Sequence, residues 1–174
     1  GRVGVYGLDV YTLHRAMNLV LRHLGRGDAV AAQRARERYG CIDISGRDSQ
    51  TYGYAATLGL SRATEHELVT RLVEACHATG PSVIDAQGSA EGQFAFEQHA
   101  RTMSEAEAYY RAMFGSSMRW WNLRDAHMLL TLESVLGHAT RISGTGRAVV
   151  WAHNVHVGDA RACRTEAHGE ASFG

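Results

Sequence analysis

The stretch RAVVWAHNVHVGDA, Arg147 to Ala160, sets the frame for reading the whole chain. Its first half is rich in β-branched and aromatic residues and reads as a short strand near residues 147–152. Its second half carries His153, Asn154, His156 and Asp159 past the end of that strand. In open α/β sheets, ligands bind beyond the carboxyl ends of the strands, so this is the first place to look for chemistry. Two imidazoles three residues apart admit three readings: metal ligands, a proton-transferring pair, or polar residues closing a buried strand.

Working outward, the opening RVGVYG predicts a second short strand near residues 3–6, closed by Gly7, with Asp9 just beyond it. If the two strands run parallel in one sheet, Asp9 and the histidines share a rim. The sequence between them is helical. Leu13, Met17, Val20, Leu21 and Leu24 form one stripe of a helix over Thr12–Leu24. Ala29–Arg38 is a charged second helix, Gly40–Gly53 reads as a loop, and Thr64 with Glu67 makes a capping box. Residues 78–92, which hold the only proline, read as a linker.

Gln93–Phe114 predicts one long helix with Phe96, Ala100, Met103, Tyr110 and Phe114 on its inner face and Glu105 and Glu107 in solvent. Asn122 is placed to cap a further helix ending near His138, with Met128, Leu132, Val135 and Leu136 inward. The fold class expected is therefore α/β, mostly helical in this section. Residues 1–11 form a strand and loop of the sheet, 12–140 a helical subdomain, and 141–174 a returning strand with an active-site loop. Two strands do not make a stable sheet alone. With no initial methionine and an abrupt end, the chain is expected to be a section of a longer protein.

Composition narrows the function. A chain of 174 residues buries roughly 70% of its unfolded surface, so a core forms without staples. Positive and negative residues balance at 18 each, with no basic face for nucleic acid. All the positive residues are arginine, so Schiff-base lysines and phosphate-loop lysines are excluded. Cys41, Cys76 and Cys163 are odd in number and widely spaced, which suits a reducing, cytoplasmic setting. No apolar run reaches membrane-spanning length. Nothing in the sequence sets the oligomeric state.

For the histidines, zinc would need a third ligand and usually a helical HExxH frame; here asparagine follows the first histidine, and no metal or cofactor is expected. A single histidine would read as a satisfied buried residue. Two beside Asn154 and Asp159 favour proton handling, for which imidazole is suited near neutral pH. No G-x-S-x-G elbow exists, because GSAEG has alanine where the serine would stand. Any hydrolysis would use water directly. A third polar group, NLRDAH, offers Asn122, Arg124 and Asp125, with His127 at i+3 from Arg124. The charge pair there serves equally well as a helix-start device or as a ligand site, and Asp9 has the same two readings. Trp120, Trp121 and Tyr109 read as core aromatics that could also line a pocket.

Five stretches together resemble the erythromycin esterase family, which also includes proteins labelled succinoglycan biosynthesis proteins. They are YGLDVYTLHRAMNLVLRHL, ERYGCIDISGRDSQTYGYA, FEQHARTMSEAEAYYRAMF, WNLRDAHMLLTLESVL and AVVWAHNVHVGDAR. The resemblance spans essentially the whole chain, and the order N-x-R-D-x-x-M followed by A-H-N-x-H-x-G-D is its specific part. It implies an α/β fold with a helical subdomain and metal-independent hydrolysis of a small-molecule ester, a macrolide lactone in the antibiotic-resistance members. It maps the family's histidine pair onto His153 and His156, which would bind and polarise substrate and order the attacking water. It also maps Asn122, Arg124 and Asp125 onto a turn whose arginine could hold developing negative charge. Asp9 and Asn154 would join them in binding substrate.

The chain departs from the family pattern at His99, Ala126 and Ile44-Ser45. The family's general base, a histidine in an E-x-x-H-G-like motif, lies upstream of the sequence present. The parent protein is therefore expected to be a carboxylic ester hydrolase, while these residues alone are expected to be close to inactive. Two other readings stand beside this one: a carbohydrate-ester or polysaccharide-biosynthesis protein on the same scaffold, and a non-catalytic helical interaction module.

Overall fold

The computed structural model describes residues 3–27, 29–43, 49–58, 90–114 and 119–158. Among the described residues there are six helices and no strand: α1 (Leu13–Gly27), α2 (Ala29–Asp43), α3 (Ser49–Thr57), α4 (Ala90–Met113), α5 (Arg119–Ser143) and α6 (Asn154–Val157). The chain divides into two compact units, Tyr11–Ser116 and the pair of segments Gly1–Val10 and Ser117–Gly174. The capping box at Thr64 and most of the proline-bearing linker lie outside the described residues.

Unit Tyr11–Ser116 is built on the apolar stripe of α1. Leu13, Ala16, Met17, Val20 and Leu21 recur at i, i+3, i+4, i+7 and i+8 and are all buried. The Thr12 carbonyl accepts the first helical bond from the Ala16 amide at 2.8 Å, so the helix starts where the pattern places it. Helix α1 packs against α2 and α4, and α3 packs against α4. Helix α2 contributes the small side chains of Ala32 and Ala35 to the core. It runs to Asp43, past the expected end at Arg38. A single interior glycine, Gly40, costs a helix only about 1 kcal/mol, so glycine content alone does not make a loop. The expected loop from Gly40 to Gly53 is thus partly helical at both ends, with α3 beginning at Ser49.

Gly53 is required by a close approach, not by a turn. A Cβ built there would lie 2.3 Å from the carbonyl oxygen of Tyr110 in α4, inside van der Waals contact. That approach seats Tyr52 in the core, where its hydroxyl donates to Glu107 Oε1 at 2.8 Å. Arg111, one turn on from Glu107, donates to the same oxygen from Nε at 2.8 Å and Nη2 at 2.6 Å. Glu107 is fully buried, which corrects its assignment to solvent. It lies on the same stripe as Phe96, Ala100, Met103 and Tyr110, and the arginine and phenol satisfy its charge there. Between α1 and α4, His23 stacks on Phe96 with ring centroids 4.2 Å apart. Burial depresses the nearby His99 below its ordinary 6.5, and the Arg15 and His23 charges add to this.

In the other unit the two expected strands do not form. Residues 3–9 and 145–153 form neither helix nor strand, and the side chains of Val3, Val5, Val149 and Trp151 are more than 90% exposed. β-Rich composition is a preference for pairing, realised only against a neighbouring strand, and none lies among the described residues. Helix α5 also differs from expectation. It begins at Arg119, so Asn122 sits inside its first turn instead of capping it, and it continues to Ser143. It ends at Gly144, whose φ of 77° only glycine adopts without strain and whose amide closes the helix on the Thr140 carbonyl at 2.9 Å. Of its predicted inner residues Met128 is buried, while Leu132, Val135 and Leu136 are half-buried. The remaining inner positions are polar: Asp125, His127, Thr131 and His138.

Candidate active site

All the residues that the sequence singles out for chemistry belong to the unit formed by Gly1–Val10 and Ser117–Gly174. Two separate pairs organise them. The first joins the loop before α1 to α5. Arg124 donates from Nε to Asp9 Oδ1 at 2.9 Å and from Nη2 to Asp9 Oδ2 at 2.7 Å, a bidentate fork of the strongest charged kind. The Val10 amide also donates to Asp9 Oδ1 at 2.8 Å. Partial burial pushes the Asp9 carboxyl upward, but the Arg124 bonds, the Val10 amide and the charges of Arg124 and His156 outweigh it. The carboxyl is left below its ordinary 3.8. Arg124 is therefore committed to Asp9, an internal clamp on the start of α5.

The second pair decides between the histidines. His156 is 6% exposed and its Nδ1 lies 2.7 Å from Oδ1 of Asp125, itself 2% exposed. An ionised carboxylate can only accept, so in that bond Nδ1 carries the proton. Burial raises the Asp125 carboxyl, and the Asp9 charge adds to this, while the bond from His156 and the charges of His156 and Arg124 oppose it. Oδ2 of Asp125 is buried without a hydrogen-bond partner among the described residues. On the face of the same imidazole lies Trp121, ring centroids 5.2 Å apart and planes 19° from parallel.

His153 is a different kind of residue. It is exposed and serves as N-cap of the single-turn helix α6, with backbone φ −66° and ψ 144° and Nδ1 accepting from the Val155 amide at 3.2 Å. The His156 amide in turn donates to the His153 carbonyl at 2.9 Å. This one turn explains the three-residue spacing: it leaves the first histidine at the surface and carries the second inward onto α5. Asn154 is exposed at the start of α6, its carbonyl accepting from Gly158 at 2.8 Å, and Asn122 is half-buried in α5. Asp159 lies outside the described residues.

Sequence reasoning places Asp125 among substrate ligands, whereas here its carboxylate orients His156. It also leaves Trp121 among the core aromatics. The signal was present in the spacing: Trp121, Arg124, Asp125 and Met128 stand at i, i+3, i+4 and i+7, one face of α5. No group of three or more His, Cys, Asp or Glu residues that could hold a metal ion occurs among the described residues.

The model of the family described as erythromycin esterase matches residues 1–174. The chain belongs to the erythromycin esterase family. The match covers both units, so the Asp9–Arg124 clamp and the Asp125–His156 pair are features of an erythromycin esterase domain. No solved structure matches the chain. No described helix is long and apolar enough to cross a membrane.

Proposed function

We propose that the chain carries the electrophilic half of a hydrolase that cleaves a carboxylic ester or macrolactone by attack of water. The observation that supports this most directly is the buried 2.7 Å bond from His156 to Asp125. A carboxylate at Nδ1 stabilises the imidazolium and directs Nε2 as the working nitrogen. From Nε2, His156 donates to the carbonyl oxygen of the ester and stabilises the negative charge that develops there. One such donor is typically worth about 10²–10³ in kcat. Water adds to the carbonyl carbon, the tetrahedral adduct expels the alkoxide, and a proton restores the alcohol. The products are an acid and an alcohol, with the mass of one water gained.

In this reading His153, exposed at the mouth of α6, meets substrate or orders the water. Asn154 beside it and Asn122 on α5 bind polar groups of the ligand. Arg124 and Asp9 act by fixing the end of α5 that carries Asp125. Membership of the esterase family supports an ester substrate, an α/β parent sheet to which residues 3–6 and 147–152 add strands, and a cytoplasmic setting suited to free cysteines. A macrolide lactone is the first substrate to test, as in the antibiotic-resistance members that the sequence resembles. A carbohydrate ester, as on a succinoglycan-type relative, is the second.

The test is hydrolysis by the protein expressed from its complete reading frame. A panel of macrolides and simple acyl esters is incubated in heavy-oxygen water and followed by mass spectrometry. Label in the new carboxylate of at least one ester, lost in His156→Asn, is the expected result. Turnover of the panel by His156→Asn at the wild-type rate would sink the proposal.

A further inference from the structure

The residue left without a task by this account is Trp121. It stands one turn before Asp125 on α5, so the two side chains reach the same imidazole from one helix face. Asp125 holds the ring at its edge through Nδ1, at 2.7 Å. Trp121 holds it on its face, with the planes 19° from parallel and the centroids 5.2 Å apart. Rotation about the Cβ–Cγ bond would carry Nδ1 off the carboxylate and turn Nε2 away, and a plane stacked on the ring resists that rotation. Trp120 packs edge-on to Trp121 at 5.5 Å and steadies it in turn.

We propose that Trp121 is a positioning residue for His156, its stacked indole fixing the imidazole plane and so the direction in which Nε2 is presented. This rests on the ester-hydrolase reading only for its kinetic consequence; the effect on the ring itself is independent of it. The groups facing His156 are Asp125 and Trp121 from α5, with the Asp9 carboxylate close enough to interact by charge. Asp125 and Asp9 are left in place when Trp121 is changed, so that only the stacked face differs.

The experiment compares Trp121→Phe and Trp121→Leu with the wild type by two readouts. The first is the nitrogen spectrum of ¹⁵N-histidine-labelled protein, with the His156 signals assigned by His156→Asn. One sharp set of His156 ring signals is expected in the wild type and in Trp121→Phe, and broadened or doubled signals from several ring orientations in Trp121→Leu. The second is turnover of the ester found in the hydrolysis panel. Trp121→Leu should lower kcat roughly 3- to 30-fold with KM little changed, and Trp121→Phe should recover most of it. A single unchanged His156 state in Trp121→Leu would overturn the proposal even where hydrolysis is abundant. A mixed state in a protein that hydrolyses nothing would uphold it while refuting the hydrolase reading.

If Trp121→Leu fails to fold, the stack is read without touching it. In the double variant Trp120→Phe/Trp151→Phe, Trp121 is the sole tryptophan. The stacked imidazole should quench its emission, and adding His156→Asn should raise that emission. Emission independent of His156 would equally overturn the proposal.

Discussion

Replacing Asp125 by asparagine separates what the carboxylate does for the fold from what it does for His156. The side chain keeps its shape, so no cavity opens. Its charge is a poor contributor to stability: burial raises the carboxyl, which means the folded state binds a proton there more readily than the unfolded chain. The ionised form is thus a net cost to folding at neutral pH, and its removal relieves that cost. That raised direction already includes the opposing bond from His156 at 2.7 Å, so loss of the bond is not a separate cost to the fold. Against the relief, one amide group is left at the position of Oδ2, which has no partner among the described residues. The two effects on stability oppose each other and leave a change of about 1 kcal/mol. Stabilisation of the imidazolium has no such compensation. Losing about 1.5–3 kcal/mol there lowers kcat roughly 10- to 150-fold. The assay pairs calorimetric unfolding with steady-state hydrolysis of the ester identified in the panel. Asp125→Asn should melt within a few degrees of the wild type and turn over at a small fraction of its rate. Unchanged turnover, or turnover lost only in step with unfolding, would refute the reasoning.

Other expectations follow from the helical unit and its titrating groups. Glu107→Ala removes the acceptor of the buried Tyr52 hydroxyl proton and the carboxylate that Arg111 pairs with, and should cost about 3–5 kcal/mol in denaturant unfolding. Arg111→Ala should cost at least as much, because it leaves the fully buried Glu107 carboxylate without its cation, whereas Arg111 itself is about one-third exposed; a much smaller cost would show that water reaches Glu107. Gly53→Ala places a methyl against the Tyr110 carbonyl and should destabilise by about 1–3 kcal/mol, and a neutral result would mean that α3 does not approach α4 so closely. His99 is held below its ordinary 6.5 by burial, Arg15 and His23, so below that pH the unfolded chain takes up the proton first. Stability should therefore decline as pH falls below about 6.5. His99→Asn should reduce that decline in thermal melts across the range, and an identical slope would remove His99 as its source.

Much of the helical part is legible in the sequence because its signal is local. The α1 stripe and the start of that helix at Thr12 are written in five apolar residues at helical spacing. The long α4 is equally plain. Glu107 is the instructive failure: periodicity puts it on the buried face, but its charge reads as solvent. The partners that make burial tolerable include Tyr52, 55 residues away in the chain. The expected strands fail for a related reason, since a strand is defined by a neighbour and not by its own residues. At the site, the polar clusters around Asp9, Arg124 and His156 are visible as residue types past the expected strands. Which of them pair is not visible, because Asp9–Arg124 and Asp125–His156 are contacts across 115 and 31 residues. The distinction between an exposed capping histidine and a buried one paired with Asp125 depends on a single turn of helix, too short to carry a periodic pattern.

That distinction is the centre of the account, and a pair of variants tests it. His153→Asn and His156→Asn, each in the protein from its complete reading frame, are compared for kcat and for thermal stability. Asparagine is itself a good N-cap, so His153→Asn should keep α6 intact and leave the larger share of turnover. His156→Asn should remove about 10²–10³ of kcat with the fold retained. Equal losses at the two positions, or a greater loss at His153, would contradict the assignment of His156 as the residue that acts on the ester.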